Sequence, residues 1–117
     1  MIKQVIIVNR LPQLSRAEFL DHWRNTHAPL IQSLAATLGI HRYVQLCPMA
    51  ESSPLAAASK LDCDGIAEVW FHSAEAVLAN GASPEAREAM KQIREDEELF
   101  IDRTRTHAFW GEEAPVI

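Results

Sequence analysis

Apolar residues fall along this chain in two different periods, and the changes between them mark the elements. Ile2 to Asn9 is short, β-branched and free of Gly and Pro, which predicts a strand. Its positions Val5 to Val8 are all apolar, so it is expected at the centre of a sheet with both faces covered. From Ser15 to Leu30 (SRAEFLDHWRNTHAPL) the period becomes helical. Ser15 followed by Glu18 is a capping-box pattern, and Phe19, Trp23 and His27 recur every four residues along one face. Pro29 cannot donate to the carbonyl of Asn25 and disfavours the helical region at Ala28, so a break or kink is expected between Thr26 and Pro29. The helical spacing resumes through Leu30, Ile31, Leu34, Ala35 and Leu38 and stops at Gly39.

Alternation returns from Ile40 to Cys47, a second strand with Tyr43 at the centre of its more polar side. Pro48 to Asp64 is too long for a hairpin turn. Within it Ser53, Pro54 and the following LAAASKL predict a short capped helix, in a segment that is either a lid over a site or an insertion without a role. Gly65 to Phe71 is the third strand. Ser73 caps a short helix that stops near Gly81, and Ser83 with Pro84 opens a longer one whose inner stripe is Ala86, Met90, Ile93 and Glu97. The charge run Arg94 to Glu98 reads as a solvated helix face. Thr104 to Glu112 is the fourth strand, and a tail follows.

The order β-α-β-β-α-β predicts an α+β, ferredoxin-like fold: a four-stranded antiparallel sheet with two helices on one face. Tyr43, Trp70 and either Phe109 or Trp110 cannot all lie beneath those helices. An uncovered face this apolar implies a partner, and a second copy of the chain is expected there, forming a dimeric barrel. The cavity is then expected between sheet and helices, or inside the joint barrel.

Composition narrows the function classes. The 117 residues make one domain, residues 1–117, with 48 % hydrophobic and 23 % charged residues. A formal net charge of −5 argues against nucleic acid and against an anionic membrane surface. The run Val5 to Val8 is too short for a signal-peptide core and nothing approaches a membrane span, so a cytoplasmic protein is expected. Cys47 and Cys63 show no metal spacing and are read as free thiols. Among five histidines none forms a pair at three or four residues, no phosphate-binding glycine loop occurs, and Ser15, Ser33 and Ser73 lie in no nucleophile elbow. No metal and no cofactor are therefore expected.

The opening strand, the turn VNRLPQLSRAEF, the motif HWRNTHAPL, the segment HRYVQ, the strand GIAEVWFHS and the late FID together resemble the EthD family of the dimeric α+β-barrel superfamily. The resemblance runs from Ile2 to about Glu112 and implies roles linked to ether and aromatic-compound degradation. Relatives include muconolactone methylisomerases, dehydratases of aromatic polyketide pathways and small cofactor-free monooxygenases. The family histidine matches His27 and its strand tyrosine matches Tyr43. The cysteine that the methylisomerase branch carries on its third strand is matched by Val69, which argues against that activity.

Two readings stand for His27. Its ring either bonds a freed carbonyl and holds the kink, or moves a proton, since imidazole titrates near neutrality. In the functional reading, His27, Tyr43 and Glu68 act as acid–base groups on a small hydrophobic or aromatic molecule, and Phe19, Trp23 and Trp70 shape the pocket. Glu68 shares that duty if it points into the cavity and is a paired charge if it does not. His22 is expected at the surface or an interface, His72 in solvent and His41 as a weaker candidate on the Tyr43 face. The alternation around His107 leaves its side open. The overall expectation is a cofactor-free isomerase, dehydratase or oxygenase, the alternative being a carrier of a hydrophobic metabolite.

Overall fold

The computed structural model describes residues 1–56 and 61–117. Four antiparallel strands form one sheet: β1 (Ile2–Val8), β2 (Arg42–Leu46), β3 (Gly65–Phe71) and β4 (His107–Glu112), in the order β2-β3-β1-β4. The ferredoxin-like arrangement is present, with β1 and β3 at the centre. The first helical layer is α1 (Arg16–His22), a π-helical turn (Trp23–His27) and α2 (Ala28–Leu38); the second is α3 (Ala74–Gly81) and α4 (Pro84–Glu97).

Local chemistry explains most boundaries. Ser15 accepts from the Glu18 amide while the Glu18 carboxylate accepts from the Ser15 amide, closing the expected capping box. Ser73 and Ser83 cap α3 and α4 in the same way, each through its side-chain oxygen. Gly39 ends α2 at φ +70°, a conformation that costs a residue without Cβ little. β4 begins at His107 rather than Thr104, because Asp102 caps a 3₁₀ turn over Arg103–Arg105 instead. The predicted helix after Ser53 is replaced by turns as far as Ala56, and its remainder lies outside the described residues.

The expected break near Pro29 does not occur. The chain stays right-handed helical from Arg16 to Leu38 and absorbs the proline by widening one turn. The Ala28 amide donates to the Trp23 carbonyl, five residues back, and the helix runs on through Pro29. That carbonyl also accepts from Gln45 Nε2 at 2.9 Å, which ties the widened turn to β2.

Strand pairing assigns every residue to a face. Lys3 lies opposite Trp70, and Val5 opposite both Glu68 and Phe109. These residues, with Ile7, Val44, Leu46 and Ile66, form the face that carries no helix. Gln4, Ile6, Tyr43, Val69 and Ala108 belong to the other face, under the helices. There Val8, Phe19, Trp23, Ala67, Phe100 and Ile101 make the buried core. Gly65 is required by this packing: a Cβ on it would stand 2.5 Å from the Trp23 ring. β1 is central as expected, but Val5 and Ile7 remain only half-buried, because no helix among the described residues covers their face. Among the described residues, no helix is long and apolar enough to cross a membrane.

Candidate functional site

The widened turn sets the position of two histidines. On a regular α-helix, residues five apart point about 140° away from each other at ~100° per residue. The π turn rotates less per residue, and His22 and His27 instead reach the same carboxylate. His27 Nδ1 lies 2.7 Å from Asp96 Oδ2, and His22 Nε2 lies 2.9 Å from Asp96 Oδ1. Asp96 comes from the last turn of α4, and its side chain is 11 % exposed. The Phe100 ring lies against both imidazoles, stacked on His22 at 4.5 Å and tilted to His27 at 5.0 Å.

A carboxylate only accepts, so each histidine must present an N–H to Asp96. For neutral His27 this fixes the Nδ1–H tautomer and leaves Nε2 as a free lone pair. Among the described residues Nε2 has no hydrogen-bond partner, and no buried side-chain nitrogen or oxygen is unpaired. Nε2 is therefore solvent-accessible, although the residue as a whole is 5 % exposed. Burial holds the ring below the ordinary imidazole value of 6.5, against the opposing pull of the Asp96 hydrogen bond and charge. His27 is thus an oriented, neutral base at neutral pH.

His27 opens onto a cavity of about 730 Å³ between the sheet and the helices. Its walls are mostly apolar, with Trp23, Ile31, Val69, Met90 and Ile93 among them. Tyr43 lines the same cavity. Its hydroxyl accepts from Gln45 Nε2 at 3.0 Å, so its own O–H remains available to donate, and burial pushes the phenol above its usual 10.0. Glu97 also lies on the wall; burial raises its carboxyl above the usual 4.5, opposed by the charges of Arg103 and Arg94.

The expected site residues divide between the two faces. His27, Tyr43 and Trp23 come together at the cavity. Phe19 does not line it; it is fully buried behind Trp23, ring centroids 5.4 Å apart, and next to Phe100. Glu68 and Trp70 lie apart from this cavity. Strand alternation puts both on the helix-free face, where Glu68 accepts from Lys3 Nζ at 2.8 Å and Trp70 lies beneath Lys3 and Arg42. Neither borders the cavity between sheet and helices. His22, expected at the surface or an interface, is half-buried on Asp96. His107 falls on the helix-free face and is exposed, while His41 and His72 pair at the surface, rings 5.1 Å apart.

Sequence reasoning missed Asp96 and undervalued Glu97, because both lie in a run of like charges that reads as solvated. A signal was present: Ala89, Ile93, Asp96 and Phe100 follow helical spacing, and the three apolar members are buried. Val69 lines the cavity. Cys47 and Cys63 are free thiols on a separate cavity of about 420 Å³ beside the 48–64 segment. None of the described residues of that segment borders the main cavity, so they form no lid over it.

Comparison with known proteins identifies the family and matches the fold. A family model described as EthD domain matches residues 11–104. An EthD family protein from Bacillus halodurans C-125 has a similar structure at TM-score 0.63 and 20 % identity, over 97 % of this chain and 100 % of that one. A dimeric protein of unknown function and ferredoxin-like fold from Bacteroides fragilis aligns at TM-score 0.61 and 14 % identity, covering 96 % and 95 %. SnoaB from Streptomyces nogalater, described as a cofactor-independent oxygenase, aligns at TM-score 0.57 and 13 % identity, covering 99 % and 95 %. No curated protein matches the sequence.

Proposed function

The chain belongs to the EthD family, and we propose that it is a cofactor-free enzyme that moves a proton on a small, largely apolar, ring-bearing molecule. The observation that carries this reading is the Asp96–His27 pair, with Nε2 of His27 the accessible nitrogen on an apolar cavity. Nε2 takes a proton from an acidic C–H or O–H of the bound molecule, and Asp96 stabilises the imidazolium that results. Tyr43 donates its O–H to the oxygen on which charge develops. Glu97, held toward its neutral form by burial, returns a proton where the product needs one.

This sequence of proton movements serves an isomerisation, a dehydration or the formation of a carbanion that reacts with O₂. The lone nucleophile-free cavity wall at Val69 disfavours the methylisomerase variant. The helix-free face, with Leu46 and Phe109 each 55 % exposed, packs against a second copy of the chain. Two structurally similar proteins of this fold are themselves described as dimeric, which supports the same arrangement here.

The test is a panel of small aromatics, lactones and quinols offered to wild type and to His27→Ala, with binding and turnover followed by mass spectrometry. Conversion by wild type alone supports the reading, and the product identifies the reaction class. Equal binding by both proteins with no conversion moves the protein to a carrier of the same class of molecule.

A further inference from the structure

The cavity has two chemically different ends. Ten residues of α4 separate Arg87 from Glu97, and both line the cavity, so it follows the helix for about 15 Å at ~1.5 Å per residue. The Glu97 end holds the proton-transfer groups. The other end lies at the corner between α3 and α4, where the wall carries Arg87 and Asn80 beside Val77, Phe71 and Leu38, with Gln4 and Trp110 on the adjoining strands. The Arg87 guanidinium makes one hydrogen bond, Nη1 to the Ala82 carbonyl at 3.2 Å, and no carboxylate among the described residues lies within ion-pair distance. Asn80 uses its amide nitrogen on the Thr37 carbonyl at 2.7 Å, which fixes the side chain at the same corner. Arg94, by contrast, stands one turn before Glu97 and its charge acts on that carboxyl.

An apolar passage that ends at an arginine with most of its N–H groups unused fits one kind of molecule. We infer that the cavity takes an elongated apolar substrate ending in a carboxylate, with the carboxylate held by Arg87 at the end remote from His27. This rests on the proton-transfer reading for its orientation and extends it to a substrate class. A guanidinium meets a carboxylate through two parallel N–H bonds, a geometry that a neutral amide cannot match. The apolar body then lies along Met90 and Ile93, and its far end reaches His27 and Tyr43.

The test is calorimetric binding of 6-phenylhexanoate, 6-phenylhexanamide and phenylacetate to the full chain at pH 7.5. Wild type is expected to bind the long acid about ten-fold or more tighter than the amide and than the short acid, with the advantage shrinking in 0.5 M salt. Arg87→Gln is expected to erase the preference for the acid while amide binding stays within about two-fold, and Arg87→Lys to restore part of it. Equal affinity for acid and amide, no binding of any probe to 1 mM, or a preference that survives in Arg87→Gln and disappears in Arg94→Gln would each overturn the inference. Affinity alone is read, so an absence of turnover bears on the proton-transfer reading and leaves this one standing. Conversion of a neutral substrate without any preference for acids does the reverse.

Discussion

The two faces of the sheet carry the same kinds of side chain in opposite circumstances. On the helix-free face a carboxylate, Glu68, meets a lysine, and an indole, Trp70, lies beneath two cations. On the helix face a carboxylate, Asp96, meets two imidazoles, and an indole, Trp23, is buried against Gly65. Both arrangements satisfy their polar groups. Only the second leaves a reactive atom uncommitted, because an imidazole held at one nitrogen keeps a lone pair at the other, whereas an ammonium held by a carboxylate keeps nothing but donors. Residue type therefore does not distinguish an acid–base site from a structural ion pair here. The distinction lies in what each group still has free, and toward which space.

The largest effect is expected where that free atom is lost. His27→Ala should lower turnover by about 10²–10⁴-fold. Asp96→Asn should approach the same loss, because an amide can accept as well as donate and no longer enforces the tautomer. The acid limb of the pH–rate profile should fall below 6.5, since His27 must be neutral to act and burial lowers its pKa. The stability linkage has the same sign: a ring whose folded pKa is depressed favours folding fully above 6.5 and loses that advantage as pH falls toward the folded value. An activity plateau extending unchanged well below the folded pKa, or full activity in Asp96→Asn, would erase the contrast between the faces.

Next in size is the association of the helix-free face. Phe109→Arg should weaken the proposed dimer by about 10²-fold, because a charge would be buried without a partner. Light scattering at micromolar protein reads this directly, and a wild-type monomer would leave the apolar face unexplained. A smaller effect is expected at Glu97. Its folded pKa is raised, so its contribution to stability is present below 4.5 and is lost as pH rises through the folded value. Glu97→Gln should therefore melt higher than wild type at pH 7.5 and together with it at pH 4. The smallest effect is at Glu68. Its pair with Lys3 is partly exposed, such pairs contribute ~0–1 kcal/mol, and Glu68→Gln should keep turnover within about two-fold. A large loss there would move the chemistry to the other face.

What was legible in the sequence was local. Ser15 with Glu18, Ser73, Ser83 with Pro84, and Gly39 each act within one turn of their own position, and each marks its helix end as expected. The strand periods gave the element order, and hence the ferredoxin-like sheet. His27 and Tyr43 were legible as candidates because an uncommon residue at a proline-marked turn and a tyrosine on a polar strand face are conspicuous. Asp96 was not, because its role depends on a helix some seventy residues away in the chain, |i−j| = 69 from His27. The widened turn was hidden for a related reason. Pro29 announces that a hydrogen bond is missing, but whether the helix breaks or expands is decided by tertiary partners such as Gln45 on β2. Glu68 misled because its neighbours Ala67 and Val69 face the cavity, and alternation sends the residue between them to the opposite side.

The central claim is that Asp96 fixes His27 with its proton on Nδ1 and an open lone pair on Nε2. Long-range ¹H–¹⁵N correlation NMR of the histidine rings, on the free protein at pH 7.5, tests it without any substrate. The expected result is a neutral Nδ1–H ring at His27 that changes tautomer or begins to exchange in Asp96→Asn. A neutral Nε2–H ring at His27 in wild type, unaltered by Asp96→Asn, would contradict it.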